Sequence, residues 1–449
     1  MLSTMNSAES HKHWPLFLLL LVGFCLRAGL VYMERDSLLL DRDLYIGIAR
    51  QLIETGEYAH PDTGKLTAYR PPLYPCFLAI GFQVMDPAWF VALSNLVFAV
   101  ATIWLAHRLC LELKFTPLAH WGIVTVITLD PILIRYTPQA MTETLFTFLV
   151  LALVVLMIRW HESMQWKQQA AIGVLLGLCG LCRPTIWAFA GLWGMFELYS
   201  KFLKRRLFPL PFEESLQQRL KALPWIAWTV ALAMAAPWVV RNYQSLGRPI
   251  LTTTHGGYTL LLGNNPVFYA EVVNDDSRDV WDGQSLRKWQ NELELDLASA
   301  HDELSETERD YGLYHRARAN IRKDQRSFIK ACWLRITRLW SPTPTVSGGL
   351  PSIVVYGVGV FYTLLLIGLL PGMFHLKRNP PEKLVPMWLL LLAFTIVHCF
   401  YWSNARMRAP LIPFVAVFGV TGWYPIYHFC RHTRDFWLKH RNGNDDNDY

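Results

Sequence analysis

Long apolar runs separated by short polar joints fill most of this chain. They fall at about 14–33, 87–107, 118–136, 140–159, 169–182, 185–200, 223–240, 352–374, 385–402 and 409–428. Roughly 20 apolar helical residues cross a hydrocarbon core, so each run is predicted to be a transmembrane helix. The stretch 72–85 is apolar but short and proline-rich at its start, and is predicted to be an interfacial lead-in to the second span. The fifth run is also short, and Arg183-Pro184 separates it from the sixth. The two could fuse into one kinked segment, so the expected count is about ten, bracketed by about nine and twelve. The first run is too long for a signal-peptide core and lacks a clear small-residue cleavage site, which predicts an uncleaved anchor. No internal repeat recurs.

One long polar stretch, 241–351, interrupts this pattern. Its middle, "SETERDYGLYHRARANIRKDQRSFIKACWLRITRLW" (305–340), spaces Tyr311, Tyr314, Ala317, Ile321, Phe328, Ala331 and Leu334 at three and four, as a helix does. Ser305 opens a Ser-x-x-Glu start that can cap it. The polar end "NGNDDNDY" reads as a disordered tail.

Composition narrows the class. Of 449 residues, 53% are hydrophobic and 17% charged, against about a quarter charged in soluble domains. The chain is predicted to be an all-α polytopic membrane protein. A net charge of +7 is accounted for by basic cytoplasmic loops rather than by a nucleic-acid partner. Cys25, Cys110, Cys179, Cys182 and Cys399 sit in apolar runs, so no disulfide framework is implied, and the Cys179/Cys182 pair reads as core packing. The basic joints are 201–221, 375–384, 107–114 and the tail 431–441. Ten spans with both termini cytoplasmic place all four inside a cytoplasmic (inner) membrane. The exterior then receives 34–86, 135–140, Arg183, 241–351 and 403–408. The expected organisation is a membrane domain over 1–430 and a cytoplasmic polar tail over 431–449. Within the domain, 34–86 is the first external loop and 241–351 a large external helical loop.

Every unusual polar group near a span end falls on that external side: Asp41, Asp43, Arg70, Glu143, Arg183, Arg241, Asn242, Arg406 and Arg408. Ionisable groups at membrane depth are costly and mark function by default. Span-end arginines also snorkel to headgroups, which fits Arg241. One aspartate of "DRD", most naturally Asp43, is expected to cap the helix 44–56. An external arginine excess opposes the positive-inside bias and points to an anionic ligand. The paired aspartates of "DRD" invite a metal, but the arginine between them opposes a cation, and no His/Glu cluster has ligand spacing. No GxxxxGK[ST] phosphate loop occurs. One carboxylate base, several arginines and a membrane-level site suit transfer from a lipid-linked phosphate. The carboxylate deprotonates an acceptor hydroxyl and the arginines hold the departing phosphate.

From about residue 14 to 425 the chain resembles the GT-C superfamily of integral membrane glycosyltransferases. The branch is that of protein O-mannosyltransferases and lipid A aminoarabinose transferases. The resemblance is carried by "DRDLYIGIARQLIETGEY", "YRPPLYPCFLA", "MTETLFTFL", "GLCGLCRPT", "PWVVRNYQSLGRPILTTTHGGYTLLLGNNP" and "ARMRAPLIP", in that order. It implies a GT-C-type bundle whose external first loop carries interfacial helices. It also implies Asp41, four residues before Tyr45, as catalytic base, with Glu143 as a second acidic residue. Arg70 before Pro-Pro is the expected phosphate contact, joined by Arg406 and Arg408. Asp43, Tyr45, Tyr69, Arg183, Arg241, Asn242, Asn264 and Asn265 are expected to line the site. Tyr69 stands where aminoarabinose transferases carry a metal-linked acidic residue, so a divalent metal is not favoured and no cofactor is expected.

The implied activity is transfer of a sugar from a polyprenyl-phosphate donor to a lipid, glycan or protein acceptor outside the membrane. The displacement is expected to be single-step and inverting. A lipid-phosphate flippase and a non-catalytic scaffold are the alternatives.

Overall fold

A computed structural model of the protein describes residues 5–161, 165–200, 224–274, 283–299, 304–343, 351–376 and 381–442. The basic joint at 201–221 and the end of the tail at 443–449 lie outside the described residues. Among the described residues the chain is helical, and its one strand-like pairing is an isolated antiparallel bridge between Ala59 and Leu66.

Each expected run forms helix. In chain order they are α1 (Met5–Met33), the interfacial α2 (Tyr45–Thr55) and α3 (Leu73–Val84), α4 (Pro87–Glu112), α5 (Pro117–Leu129), α6 (Pro131–Arg135), α7 (Glu143–Arg159), α8 (Trp166–Cys182), α9 (Ile186–Leu198) and α10 (Trp225–Leu246). The stretch 241–351 contributes α11 (Gly256–Leu262), α12 (Gln284–Ser299), α13 (Glu306–Lys323) and α14 (Gln325–Leu339). The last apolar elements are α15 (Ser352–Leu376), α16 (Pro381–Phe400), a 3-10 turn at Ala405–Leu411, α17 (Ile412–Thr421) and α18 (Trp423–Asn442). Among the described residues, six helical stretches are long and apolar enough to cross a membrane. The protein is therefore a multi-pass membrane protein. The seventeen residues of α7 and of α8 span about 26 Å at the helical rise, close to a hydrocarbon thickness of about 30 Å.

Three predicted segments are broken where a cap intervenes. The third run divides at Asp130, whose carboxylate accepts from Leu133 N at 2.9 Å with Pro131 at the first position of α6. A proline there has no N–H to lose. The helical stretch 305–340 divides at Asp324, which accepts from Ser327 N at 2.9 Å. Its start is the expected box: Glu308 N donates to Ser305 Oγ and Ser305 N to Glu308 Oε2. The tenth run passes from the 3-10 turn into α17 and breaks at Gly422 before α18.

Burial follows lipid logic. Helix α7 is apolar all round and buried on all sides through Leu145, Phe146, Val150, Leu151 and Val154. By contrast α1 turns Phe17, Leu21 and Phe24 outward, and α15 turns out Ile353, Val360, Ile367, Leu370 and Phe374. Helix α15 meets α17 at backbone-to-backbone distance. A Cβ on Gly372 would lie 1.9 Å from Phe418 O, and one on Gly368 2.0 Å from Gly419 O. Small residues let membrane helices gain packing that lipid cannot supply.

The loop over 34–86 is pinned from two directions. Arg241 on α10 donates to Thr67 O and Tyr58 O, both at 2.6 Å. Glu306 at the start of α13 accepts from Ala68 N at 2.9 Å and from the Thr254 hydroxyl. These contacts fix the backbone immediately before Arg70.

Gly372→Ala should overpack the α15–α17 contact and cost about 1–3 kcal/mol, read as a fall in melting temperature in detergent; an unchanged value would refute the packing. The two-sided topology predicts that a cysteine at exposed Thr63 reacts with an impermeant thiol reagent in intact cells, and one at exposed Thr116 only after the membrane is opened. Native Cys25 and Cys430 are exposed and are replaced first. The opposite labelling would invert the topology.

Candidate active site

Five charged side chains from four parts of the chain join in one line. Arg70 donates from Nη2 to Asp43 Oδ1 at 3.2 Å and from Nε to Asp43 O at 2.8 Å. Arg406, in the 3-10 turn, donates from Nη2 to the other oxygen, Asp43 Oδ2, at 2.7 Å. Its Nε donates to Glu143 Oε1. Arg183, at the α8–α9 joint, donates from Nη2 to that same Oε1 at 2.6 Å and from Nε to Thr142 Oγ1 at 2.6 Å. Three guanidiniums (Arg70, Arg183, Arg406) against two carboxylates (Asp43, Glu143) leave a formal charge of +1.

Exposure is lowest inside the line. The side chains of Arg70, Asp43 and Arg406 are 17–20% exposed and that of Arg183 is 13% exposed, whereas that of Glu143 is 1% exposed. Glu143 is thus sealed between guanidiniums that keep partial access. Aromatic faces border the cations: Arg70 lies over Tyr69 (4.9 Å) and Tyr45 (5.5 Å), and Arg406 over Tyr136 (5.7 Å). Burial pushes the Asp43 carboxyl up, but Arg406 and Arg70 outweigh it and hold the group below the usual carboxylate range. Burial pushes the Tyr69 hydroxyl up to about 12, so it stays neutral and donates rather than ionises.

The cap falls on the other aspartate from the one expected. Asp41, not Asp43, caps α2: its Oδ1 accepts from Ile46 N at 3.2 Å and its Oδ2 from Gly47 N at 2.7 Å. The cause is Leu44, whose φ of 62° puts a non-glycine residue in the left-handed region. That kink carries Asp43 away from the helix start and toward Arg70 and Arg406. Gly47 completes the turn, because a Cβ there would stand 2.7 Å from the Pro61 ring and 3.2 Å from Asp41 Oδ2.

Arg408 stands apart from the line. It is fully buried, donates to Leu339 O and Ser341 O, and packs over the Tyr362 ring at 4.3 Å. In a 3-10 turn, residues two apart leave on different sides, so Arg406 reaches the site and Arg408 the helix packing. Arg241 and Asn242 hold loops: besides the first-loop contacts, Asn242 donates to Ile250 O at 2.9 Å. Asn264 bridges Leu260 O, Phe400 O and the Arg335 guanidinium, and Asn265 caps the next turn through Phe268 N. Among the described residues no group of three or more His, Cys, Asp or Glu is placed to hold a metal ion.

No family model matches the chain, and no curated protein matches it. Solved structures do. The apo oligosaccharyltransferase of Archaeoglobus fulgidus is 12% identical, with a TM-score of 0.51, over 95% of this chain and 52% of that one. The same enzyme tethered by a disulfide bond to an acceptor peptide containing the NVT sequon gives a TM-score of 0.50 at 12% identity, over 95% and 51%. This chain has the GT-C fold. It spans about half the length of the oligosaccharyltransferase it matches. A weaker likeness, with a TM-score of 0.38 at 14% identity over 88% of this chain and 77% of the other, is to ArnT from Cupriavidus metallidurans bound to undecaprenyl phosphate.

Within this GT-C bundle two buried charges escaped the sequence reading. Arg27 on α1 donates to Gly23 O at 3.1 Å and Thr128 O at 2.9 Å. Asp130 accepts from Tyr362 OH at 2.9 Å. A lone charge inside an apolar run was the available signal for both.

The Asp43 ion pairs set an acid dependence. A carboxylate held below its unfolded value, near 3.9, adds stability that is present above that value and lost as pH falls through the folded one. Melting temperature should therefore drop below about pH 4, and Asp43→Asn should remove that component of the drop. Superimposable acid limbs for the two proteins would contradict the ion pairing.

Proposed function

We propose that the protein transfers a sugar from a polyprenyl-phosphate donor to an acceptor hydroxyl at the external face of the cytoplasmic membrane. The observation that carries this reading is the net-positive arginine–carboxylate line at a membrane edge, set in a GT-C fold. A phosphate approaching the line finds Arg70 and Arg406, each already oriented by Asp43. Guanidinium forks grip phosphate oxygens in pairs. The donor's tail then lies along the apolar helices and its sugar faces the first external loop.

In this reading Asp41 is the base. Asp43 has a guanidinium on each oxygen, which weakens it as a proton acceptor. Asp41 is held by two backbone amides, and no arginine among the described residues pairs with it. Each of its oxygens keeps a lone pair for an acceptor O–H. The acceptor oxygen forms a bond to the anomeric carbon as its proton passes to Asp41. The bond from that carbon to the phosphate oxygen breaks with inversion. The leaving polyprenyl phosphate gains negative charge, and Arg70 and Arg406 stabilise that charge as it develops. Glu143 and Arg183 fix Arg406 from behind. Nothing in the site selects one sugar, and the acceptor class (lipid, glycan or protein) follows from the product.

Mass spectrometry of envelope glycolipids and glycoproteins with and without this chain should reveal the missing modification and supply an assay. In that assay Asp41→Asn, which keeps an acceptor for one of the two amides at Ile46 and Gly47, should lose about 100- to 10,000-fold in rate. Arg70→Lys and Arg406→Lys should weaken donor binding, because the fork is lost while the charge stays. Normal turnover by Asp41→Asn together with a dead Asp43→Asn would move the base to Asp43.

A further inference from the structure

The last helix of the stretch 241–351 has two unlike faces. On α14, Ala331, Arg335 and Leu339 are buried. Ile329 and Trp333, one turn apart on the opposite side, are each 68% exposed. A parallel row beside them carries the exposed cations Arg326 and Lys330, the second donating to Asn274 Oδ1 at 3.1 Å. A bare isoleucine–tryptophan row outside the spanning runs needs a surface to cover it.

Two contacts with α16 fix where α14 lies. Helix α16 is among the stretches long and apolar enough to cross a membrane. Phe328 stacks on Phe400, the last residue of α16, with ring centroids 6.2 Å apart. Trp340, just past α14, donates from Nε1 to Thr395 Oγ1 at 3.3 Å. These contacts are five residues apart on α16 and twelve apart along α14, about 7.5 Å and about 18 Å at the helical rise. Helix α14 therefore slopes across the final turns of a span, where hydrocarbon gives way to headgroups. Leu392, Ile396 and Phe400 form an exposed row on α16. That lipid-facing row reaches α14 at Phe328, next to Ile329.

We propose that α14 is seated in the membrane interface. Ile329 and Trp333 enter the boundary between acyl chains and headgroups, and Arg326 and Lys330 reach headgroup phosphates. Tryptophan suits that boundary because its ring is apolar and its N–H is polar. A helix with an apolar row beside a basic one lies in the plane of the interface. A second protein fits less well, because two exposed side chains fall short of the roughly 800 Å² per partner that a stable protein interface covers. The buried face of the same helix accepts from Arg408 at Leu339 O (3.1 Å), and its Arg335 donates to Phe400 O. Seating thereby sets the depth of the 3-10 turn that carries Arg406. It holds whichever reaction the site performs.

Spin labels on single cysteines test the seating in phospholipid nanodiscs. The labels replace Ile329, Trp333 and, as a reference on the exposed polar face of α13, His315, after exposed Cys25 and Cys430 are removed. Oxygen concentrates among acyl chains and a nickel chelate in water, so the ratio of their collision rates reports depth. The oxygen-to-nickel ratio at 329 and 333 should exceed that at 315 several-fold. Equal ratios would put the row in water, and protection from both probes would put it under protein; either result overturns the proposal. A second measurement uses the unaltered chain and so needs no variant to fold. Phospholipid with a photoreactive diazirine in its acyl chain should leave adducts on α14 as well as on 353–360 of α15. Adducts on α15 with none on α14 would overturn the seating.

Discussion

Arg406 bridging Asp43 and Glu143 is the interaction on which the site depends. It joins residues 363 and 263 positions apart in the chain. Without it the loop over 34–86, the start of α7 and the 3-10 turn would have no charged contact in common. A buried ion pair gains little net stability, because desolvating the ions offsets their attraction. Its value is geometric: each carboxylate oxygen that takes a guanidinium decides where that guanidinium points. The line from Arg70 to Arg183 thus fixes the directions of its guanidiniums rather than stapling the fold. The fold is held by apolar burial around α7 and by the glycine contact of α15 with α17.

The sealing of Glu143 within that line has a chemical consequence. Glu143 is buried and fixes Arg183 and Arg406 through one oxygen. Arg70 and Arg406 retain partial access, and Asp43 serves as their resting counter-ion. In the proposed reaction an incoming phosphate would exchange one set of charge-assisted hydrogen bonds for another. That exchange would cost less than desolvating bare arginines at the moment of binding. Asp41, tethered by amides instead of cations, is the carboxylate to which the proposal gives the proton.

Much of this was legible in the sequence because membrane helices leave strong marks. The apolar runs located the spans, and charge at span ends named Asp43, Arg70, Glu143, Arg183 and Arg406 as one group on one face. What spacing could not supply was direction. The cap moved from Asp43 to Asp41 because Leu44 adopts a left-handed conformation, which no propensity favours in leucine. Arg408 was grouped with Arg406 by proximity in sequence, but the 3-10 turn sends it to Tyr362. Asn264 and Asn265 serve backbone capping and bridging, a use that a motif match does not distinguish from ligand contact. Asp130 and Arg27 were passed over because each is a single charge in an apolar run, and their partners are backbone carbonyls, an amide and a tyrosine distant in sequence.

The central claim is that the positive line recognises a lipid-borne phosphate. Native mass spectrometry of the purified protein in lipid, offered equal amounts of polyprenyl phosphate and the matching polyprenol, tests it most directly. The account predicts retention of the phosphate form over the alcohol, with the preference lost in Arg406→Ala. Equal retention of the two lipids, or a preference that survives in Arg406→Ala, would contradict it.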